Sequence, residues 1–492
     1  MTQNIIVSPK ADLFSRESLY IAGQWTTSDA RRSIDIVNPY TEQVIGTVPE
    51  ANEADADSAI DAAVKAHRSN PWQTMSFAER GEVFARIAEG FRARNTDIEA
   101  AYIQDFGGVR AFASYMANQA AMIFSEHQRF AEQLTAREWR EGGGERNLYL
   151  REPLGPVLAI VPWNAPLVLA AVKVAPALLA GCPVVVKSAP EDPAVSFIFA
   201  EVLHDAGVPE GMISFLPGRR ESLGDIASRR EFAHIAFTGS TASGRKIMHS
   251  AAENITDVTL ELGGKSAAIF LDDLDPSEGA KLAVAGSLAQ SGQVCTTYSR
   301  LLVPESRAKE WIDALTSTFA ALPVGDPDDP NTVIGPLISA DHRATVETYI
   351  ESARADGATI LTGGKRPDLP HGYFVEPTLI SDVTSDMRIV REEVFGPVIT
   401  VQTYATVDEA VDMANDSDFG LAAGIFTANT DAALALAPRL EAGNVAINNF
   451  GACLATPFGG YKQSGLGREG GIENVLHLLA VKQVRMPMTL PV

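Results

Sequence analysis

Gly155-Pro156-Val157-Leu158-Ala159-Ile160-Val161 is an apolar run, and a helical pattern follows it from about Leu167. The same order of run and helix recurs at Val184 to Lys187, Ile213 to Leu216 and His234 to Phe237, with helices through Phe197 to Ala206, near Glu221 and from about Thr241. Alternating strands and helices indicate a parallel sheet with helices on its faces. Such folds bind ligands beyond the carboxyl ends of their strands, so polar residues there are the first candidates for a site.

A second set of strands and helices is predicted after Gly263. The strands are expected at 267–271, 300–303, 398–403, 424–426 and 444–447, and the helices at 305–320, 340–356, 406–415 and 430–440. The sequence shows no repeat and no low-complexity linker between the two sets. It therefore predicts an α/β protein of two packed lobes.

The remaining segments are predicted to form short strands, helices and an arm. Residues 18–26 and 33–48 read as strands and turns, and residues 53–132 as helices with an alanine-rich apolar face. Residues 137–151 are predicted as a hairpin around three glycines, with a flexible surface loop as the alternative. The tail VKQVRMPMTLPV is extended and is expected to add to another subunit's sheet.

Charge and hydropathy exclude several classes of protein. The 492 residues carry 40 basic and 62 acidic side chains, and the net charge of −22 argues against nucleic acid and membrane surfaces as partners. The N-terminal MTQNIIVSPKADLF has no basic flank before an apolar core, so no signal peptide is expected. The apolar stretch 167–179 is interrupted by Lys173 and Pro176, which makes it too short to span a bilayer.

Cysteine and histidine usage sets further expectations. Cys182, Cys295 and Cys453 are too few and too scattered for a disulfide framework, which favours a reducing compartment and a cytoplasmic location. None of the eight histidines pairs with another at metal-ligand spacing, so no metal site is predicted. A Cys–His hydrolase would need a histidine brought in by folding, because no histidine lies in the glycine-rich loops.

Cys295 lies in the stretch Ser291-Gly292-Gln293-Val294-Cys295-Thr296-Thr297, just after a helical pattern from Pro276 to Gln290. This order predicts a loop, and Gly292 lets a ligand or another backbone segment approach closely. A thiolate on such a loop is a strong nucleophile. Free cysteines are usually buried, so on these residues alone a small hydrophobic role is the more common arrangement.

Polar residues close the strands of the first lobe. Asn164 could donate its amide to a developing oxyanion or form a turn, and Lys187 could hold a ribose or phosphate or be solvated. Phe237 to Arg245 is a glycine-rich turn whose N–H groups could hold a phosphate, although it is neither a G-x-G-x-x-G fingerprint nor a Walker A loop. Glu261, between two leucines, is either a desolvated general base or a solvated carboxylate. Glu392 to Pro397 is an acidic loop that ends in an aromatic residue and a turn.

These motifs occur together in the order found in one family, and the chain resembles the aldehyde dehydrogenase superfamily over about residues 18–485. The matching segments are Pro162-Trp163-Asn164, Phe237-Thr238-Gly239-Ser240-Thr241, Glu261-Leu262-Gly263-Gly264-Lys265, Gly292-Gln293-Val294-Cys295, Glu393-Val394-Phe395-Gly396-Pro397 and Pro457 to Gly465. The resemblance implies two Rossmann-like parallel-sheet lobes and a β-arm. The implied domains are a dinucleotide-binding domain at 1–136 and 152–262, a catalytic domain at 263–470, and an oligomerisation arm at 137–151 and 471–492. The resemblance also implies that the chain assembles into a homodimer or homotetramer.

The resemblance also implies roles for individual residues. Cys295 is similar to the nucleophile that attacks an aldehyde, and Asn164 with the Cys295 N–H is similar to the oxyanion hole. Hydride then leaves for a nicotinamide, and a thioester forms. Glu261 is similar to the base that activates water to hydrolyse it. An aldehyde has no leaving group except hydride, so a thiol adduct and an acceptor are both required.

The cofactor residues implied by the resemblance are Trp163, Lys187, Gly239, Ser240, Leu262, Glu393 and Phe395. Lys173 and Glu469 match positions of a proton relay. Many members that prefer NAD have a glutamate three residues after the lysine, where this chain has Pro190 followed by Glu191. The missing carboxylate would have repelled a 2′-phosphate, which leaves NADP open. No Arg or Lys stands beside Pro190 to recruit that phosphate, so NAD is favoured.

The substrate tunnel implied by position is lined by Ala165, Leu169, Val172, Val294, Ala452 and Phe458. Most of these residues are apolar and several are small, which favours a hydrophobic aldehyde, aromatic or terpenoid, with a generalist for medium aliphatic aldehydes as the alternative. A CoA-acylating aldehyde dehydrogenase is disfavoured because such relatives usually lack the acid at the position of Glu261. A ligand-binding relative without catalysis is disfavoured because the nucleophile and the base are both present.

Overall fold

The computed structural model describes residues 12–27, 31–191, 193–453 and 455–487. The first eleven residues, which belong to the predicted dinucleotide-binding domain, and the last five, which belong to the predicted arm, lie outside the described parts. Among the described residues, no helix combines the length and the apolar character needed to cross a membrane.

The N-terminal segment forms two small hairpins and four helices, as predicted. The elements are β1 (Leu19–Ile21), β2 (Gln24–Thr26), β3 (Ser33–Val37), β4 (Val44–Pro49), α1 (Glu53–Ser69), α2 (Phe77–Ala93), α3 (Asn95–Gln104) and α4 (Arg110–Ala131). Reciprocal capping boxes start two of the helices, Asn52 with Asp55 at α1 and Ser76 with Glu79 at α2. The predicted hairpin follows as β5 (Arg137–Gly142) and β6 (Glu145–Pro153).

The first lobe is a parallel sheet with helices on both faces. Its elements are β7 (Val157–Ile160), α5 (Pro166–Ala180), β8 (Val184–Ser188), α6 (Ala194–Asp205), β9 (Ile213–Pro217), β10 (His234–Thr238), α7 (Thr241–Ala252) and β11 (Asp257–Glu261). The strands lie in the order β11-β10-β7-β8-β9. The helix predicted near Glu221 is wrong: Gly224, in the left-handed region at φ +62°, separates two single 3₁₀ turns there.

The second lobe is a seven-stranded sheet in the order β14-β15-β16-β13-β12-β18-β19. Its elements, with the two-residue β17 outside that sheet, are β12 (Ser266–Phe270), α8 (Pro276–Ser287), β13 (Tyr298–Pro304), α9 (Ala308–Ala320), α10 (Ala340–Ala355), β14 (Thr359–Thr362), β15 (Thr378–Ser381), α11 (Arg388–Arg391), β16 (Val398–Tyr404), α12 (Val407–Asn415), β17 (Phe419–Gly420), β18 (Ala422–Phe426), α13 (Thr430–Leu436) and β19 (Asn444–Ile447). Within this sheet β14 runs antiparallel to its neighbour β15, and the other described pairs are parallel. The prediction of two parallel-sheet lobes is therefore confirmed.

The C-terminal segment connects both lobes and completes the arm. It contains β20 (Tyr461–Lys462), β21 (Gly465–Leu466), α14 (Gly471–His477) and β22 (Leu479–Pro487). β20 pairs with β17 and β21 with β11, so this short segment touches both lobes. Between the two strands the buried Ser464 accepts a hydrogen bond from the Gly420 N–H (3.0 Å) and donates one to the Gly263 carbonyl (2.7 Å). β22 pairs with β6 to make a three-stranded arm, whose role in association stays a prediction.

Helix α5 is the hydrophobic centre of the first lobe, because every residue from Ala170 to Ala180 is buried. The N-terminal helices pack on the same core, so α5 has apolar neighbours on all sides. This packing fixes the position of Lys173, which projects from α5 towards the carboxyl end of the sheet and contacts Thr238, the last residue of β10.

We expect Leu178→Ala in α5 to lower the free energy of unfolding by about 2–5 kcal/mol, because Leu178 is fully buried and its truncation leaves a cavity. The matched control is Leu434→Ala on α13, where the side chain is 61% exposed and the change should stay within about 0.5 kcal/mol. Urea unfolding followed by circular dichroism measures both. Equal losses in the two variants would contradict the packing described for α5.

Candidate active site

The loop that carries Cys295 is held in an unusual backbone conformation. Helix α8 ends at Ser287, and Gln290, Ser291 and Gly292 follow with φ of +52°, +54° and +76°. A side chain at Gly292 would collide with the carbonyl oxygen of Gly396, so glycine is required there. The Ser291 hydroxyl donates to the carbonyl of Gly335 (2.8 Å) and fixes the turn. Cys295 then lies half-buried just beyond it.

Gln293 anchors this loop to the second lobe. Its side chain is fully buried, donates to the carbonyls of Gln290 (3.2 Å) and Pro336 (3.4 Å), and accepts from the Ile338 N–H (3.0 Å). Sequence reasoning quoted Gln293 within the motif but gave it no role. Pro336 and Ile338 lie 43 and 45 positions along the chain, so no local signal could have identified them.

Asn164 connects the first lobe to the Cys295 loop. It follows β7, is 5% exposed, and donates from Nδ2 to the carbonyl of Gln293 (3.0 Å). A carboxamide nitrogen carries two hydrogens, so a second donor remains for a ligand. The acceptor Gln293 stands two residues before Cys295, so the bond holds the Asn164 amide against the loop that carries the thiol.

Glu261, the last residue of β11, is 4% exposed, and neither carboxylate oxygen has a hydrogen-bond partner among the described residues. A methyl group at Gly459 would lie 2.7 Å from Oε1, so a side chain at that position would crowd the carboxylate. Burial raises the pKa of Glu261 well above its usual value, and the nearby Glu469 raises it further. Lys173 and Arg468 oppose that pKa shift.

The two predicted relay residues contact each other. Lys173 Nζ lies 2.6 Å from Glu469 Oε1 and donates to the Thr238 hydroxyl, also at 2.6 Å. Both charged side chains are almost fully buried, at 0% and 3% exposure. A buried ion pair requires such close partners to offset its desolvation. The pair lies close enough to Glu261 to shift its pKa, while a role in proton transfer stays a prediction.

The environment of Cys295 disfavours the thiolate. Burial is the main cause that raises its pKa to about 12, and the charges of Glu393 and Glu261 raise it further. The N–H groups of Cys295 and Thr296 act in the opposite direction. Glu261, although far from Cys295 in sequence, is therefore near enough for its charge to raise the pKa of the thiol.

Four aromatic rings cluster where Trp163 of the first lobe meets the second lobe. Trp163 lies with its ring centroid 5.5 Å from Phe395, 5.6 Å from His342 and 5.8 Å from Phe106. Phe395 adopts φ +58°, and His342 Nε2 lies 2.7 Å from its carbonyl oxygen. Trp163 and Phe395 were predicted as cofactor residues, whereas His342 and Phe106 lie outside the quoted motifs and were missed.

Glu393 lies against the Gly263–Gly264 turn. Its Oε1 accepts the Gly264 N–H (2.9 Å), and a side chain at Gly263 would collide with its carboxylate. Burial raises the pKa of Glu393 to about 7, against the opposing effects of that N–H and of Lys265. Lys265 is itself buried, its Nζ has no hydrogen-bond partner among the described residues, and burial lowers its pKa to about 7.

Lys187, at the end of β8, lines a cavity of about 200 Å³ between the sheet and α7. Burial lowers the pKa of Lys187, and the charge of Glu191 is the largest effect that opposes this. Arg220 and Lys246 line the same cavity, although neither is near Pro190 in sequence. Folding thus brings two cations to the cavity of Lys187 that no inspection of the residues beside Pro190 could find.

The turn before α7 is suited to an anionic group. Ser240 caps the helix, and its hydroxyl accepts the Ser243 N–H (3.2 Å). A methyl group at Gly239 would lie 2.7 Å from the Phe237 ring, and one at Gly244 would lie 2.6 Å from the Leu262 side chain. The predicted residues Gly239, Ser240 and Leu262 thus form one compact strand-to-helix turn.

Comparison with known proteins identifies the family. Residues 25–484 match the model of the aldehyde dehydrogenase family. The chain is 38% identical over 461 residues to geranial dehydrogenase of Castellaniella defragrans, covering 93% of this chain and 96% of that protein.

Solved structures agree. Aldehyde dehydrogenase of Mycobacterium tuberculosis complexed with NAD+ superposes with a TM-score of 0.93 at 38% identity, covering 97% of this chain and 100% of that one. Betaine aldehyde dehydrogenase of Staphylococcus aureus in complex with NAD+ gives 0.93 at 36% identity, covering 97% and 95%.

The chain belongs to the aldehyde dehydrogenase family. As an aldehyde dehydrogenase it is an oxidoreductase, and Asn164 and the Cys295 loop meet at the junction of its two lobes.

The predicted substrate residues of this aldehyde dehydrogenase lie in different environments. Ala452 lines a cavity of about 480 Å³ together with Thr296, Tyr298 and Phe450, which sequence reasoning missed. Ala165 and Leu169 are partly buried against the first-lobe core, Val172 is 2% exposed within that core, and Phe458 is 8% exposed. Val294 is half-buried next to Cys295. A common tunnel through all six stays a prediction.

We expect Glu393→Gln to lower the pKa of Cys295. The carboxylate of Glu393 is charged above about pH 7, where it disfavours a second negative charge on the sulfur. The pH dependence of iodoacetamide labelling at Cys295, followed by peptide mass spectrometry to separate it from the exposed Cys453, measures this pKa. Glu392→Gln is the control, because that side chain bonds Tyr349 and Arg388 instead. An unchanged or higher pKa in Glu393→Gln would contradict the electrostatic account.

Proposed function

We propose that this aldehyde dehydrogenase oxidises an aldehyde to the carboxylic acid through a covalent adduct on Cys295, with Glu261 as the base for hydrolysis. The observation that carries the proposal is the pair of unpartnered oxygens, among the described residues, on a buried Glu261 whose charge reaches Cys295. A buried carboxylate without protein partners is available to bind and deprotonate a water molecule.

The reaction begins when the Cys295 thiol releases its proton to solvent and its sulfur attacks the aldehyde carbon. The carbonyl oxygen becomes an oxyanion, which the second Nδ2 hydrogen of Asn164 and the backbone N–H of Cys295 stabilise. Loss of hydride from this thiohemiacetal leaves a thioester on Cys295. Glu261 then takes a proton from water, the resulting hydroxide attacks the thioester, and the acid departs as Cys295 regains its proton.

NAD, when bound, supplies the acceptor for the hydride. The residues fit such a ligand: Lys187 has no ion pair or hydrogen bond among the described residues and faces the cavity beside α7. The capped N-terminus of α7 suits the pyrophosphate, and Glu393 suits a ribose hydroxyl between the lobes. Trp163 and Phe395 would flank the nicotinamide. The NAD+ complexes of the structural neighbours support this assignment.

Two rival functions can be tested together with this mechanism. A CoA-acylating enzyme would release an acyl-CoA and needs no base at Glu261, and a ligand-binding relative would release no NADH. The buried Glu261, unpartnered among the described residues, favours hydrolysis over both.

We expect Glu261→Gln to lower the steady-state rate by about 10²- to 10⁴-fold, the usual contribution of a general base, while a first-turnover burst of NADH remains. Stopped-flow absorbance with and without CoA measures both phases. Glu253→Gln, an exposed acid at the end of α7, is the control and should leave both unchanged. Loss of the burst together with turnover, or acyl-CoA as the product of the native enzyme, would contradict the proposed hydrolysis.

For the cofactor we propose that NAD is preferred, and that the charges of Glu191 and Arg220 determine how strongly it is preferred over NADP. We expect Glu191→Gln to raise the ratio of kcat/KM for NADP to that for NAD, because its carboxylate near Lys187 repels a 2′-phosphate. Arg220→Gln should lower the same ratio, since this cation lines the cavity. Equal ratios in both variants and the native enzyme would show that neither charge faces the ribose.

For the substrate we propose a hydrophobic aldehyde, aromatic or terpenoid, rather than a small aliphatic one. The apolar and small residues at the predicted tunnel positions and the similarity to a geranial dehydrogenase support this class. We expect Ala452→Trp to raise KM for a bulky terpenoid aldehyde far more than for propanal, because Ala452 lines the cavity that reaches Thr296. Nearly equal kcat/KM for small and bulky aldehydes in the native enzyme would instead identify a generalist.

We further propose a homodimer or homotetramer assembled through the arm, in the cytoplasm. The arm exposes the apolar side chains of Trp139, Val484 and Met486 on one face of its sheet. Such a patch on a strand edge suits pairing with a second copy. Light scattering on the native enzyme and on Val484→Lys tests this assembly.

A further inference from the structure

Two histidines and an aspartate meet at the end of the first-lobe sheet opposite the active site. His234 is the first residue of β10, Asp257 is the first residue of β11, and His477 is the last residue of α14. Nδ1 of His234 lies 2.9 Å from Oδ2 of Asp257, and Nε2 of His477 lies 2.7 Å from the same oxygen. Both imidazole rings therefore direct a nitrogen at one point.

We propose that this cluster binds a divalent transition-metal ion such as Zn²⁺. Its three candidate ligand atoms all lie within 4.8 Å of one another, and two imidazoles with one carboxylate are a donor set that such ions prefer. Ligands about 2.0–2.1 Å from a tetrahedral ion lie roughly 3.3 Å apart. Each imidazole nitrogen must therefore move about half an ångström away from the carboxylate oxygen, and the two nitrogens, which lie within 4.8 Å of each other, must come to the same separation.

The burial of the three side chains suits this rearrangement. His234 is 2% exposed and is held at the start of a central strand, so it serves as a fixed anchor. Asp257 and His477 are 45% and 44% exposed, which leaves them room to move apart and leaves the solvent side open for a water ligand. The site cannot be identified from a sequence motif, because His477 is far from His234 and Asp257 in the sequence. The expectation of no metal site rested on sequence spacing alone.

A metal ion bound by this cluster would link the first-lobe sheet to the start of the arm strand β22. His477 closes α14, which packs on α5, and β22 begins two residues later. Cross-linking β10, β11 and α14 through a metal would hold the arm strand against the first lobe. Because the ion binds only when the three elements are folded together, it should stabilise the native enzyme.

Cobalt(II) provides the direct test, since its visible spectrum reports the ligand type. Metal-free, full-length protein carrying Cys295→Ala is titrated with Co²⁺ alone, so that the catalytic thiol cannot bind it. We expect one ion per chain with visible absorption and no thiolate charge-transfer band. His477→Gln and Asp257→Asn should each weaken binding by at least about tenfold, whereas His249→Gln, an exposed helical histidine outside the cluster, should not.

The melting temperature provides a second test that does not depend on the cobalt absorption spectrum. Zn²⁺ should raise the melting temperature of the parent protein and of His249→Gln but not of His477→Gln, whose fold without metal is checked by circular dichroism. Equal Co²⁺ affinity in the parent and in both cluster variants, or a thiolate band that reveals Cys182 or Cys453 as the ligand, would overturn the proposal.

Discussion

The hydrogen bond from Asn164 Nδ2 to the carbonyl of Gln293 is the interaction on which the active site depends. One partner follows a strand of the first lobe, and the other belongs to the loop of the second lobe that ends in Cys295. Gln293 is in turn fixed by three further hydrogen bonds, so the amide is aligned against a rigid loop. A donor held in this way needs little reorganisation when charge develops on a substrate oxygen.

Around this bond the fold buries charge to an unusual degree. Lys173 and Glu469 are paired, Lys265 has no hydrogen bond among the described residues, and Glu261 and Glu393 both have raised pKa values. Burial alone would make each of these groups unfavourable in its charged form. Of these groups, Glu261 and Glu393 lie near enough to Cys295 to raise the pKa of its thiol, and perturbed pKa values of this kind cluster at functional sites.

The two lobes could be predicted from the sequence, because parallel strands are buried on both faces and appear as apolar runs, as at Val184 to Lys187. Strands that are very short or that lie at the edge of a sheet could not be predicted in this way. β20 and β21 have two residues each, so no periodicity identifies them, and β14 lies at the edge of its sheet. The helix expected near Glu221 failed because Gly224 interrupts it.

In the candidate site, too, some residues could be predicted from the sequence and others could not. Asn164, Glu261 and Cys295 could be named from motifs in family order, since each stands at a strand end or on a glycine loop. The supporting residues could not, because His342 and Phe106 reach Trp163 only through the packing of distant helices and loops. Arg220 and Lys246 likewise reach the Lys187 cavity only in the folded chain.

The most direct test of this account is the rate of the first turnover in Asn164→Ala. If the amide both stabilises the oxyanion and aligns the loop, the NADH burst should slow by about 10²- to 10³-fold, the usual cost of one oxyanion donor. The protein should remain folded, and Cys295 should still be labelled by iodoacetamide. A burst at the native rate would contradict the central role of this hydrogen bond.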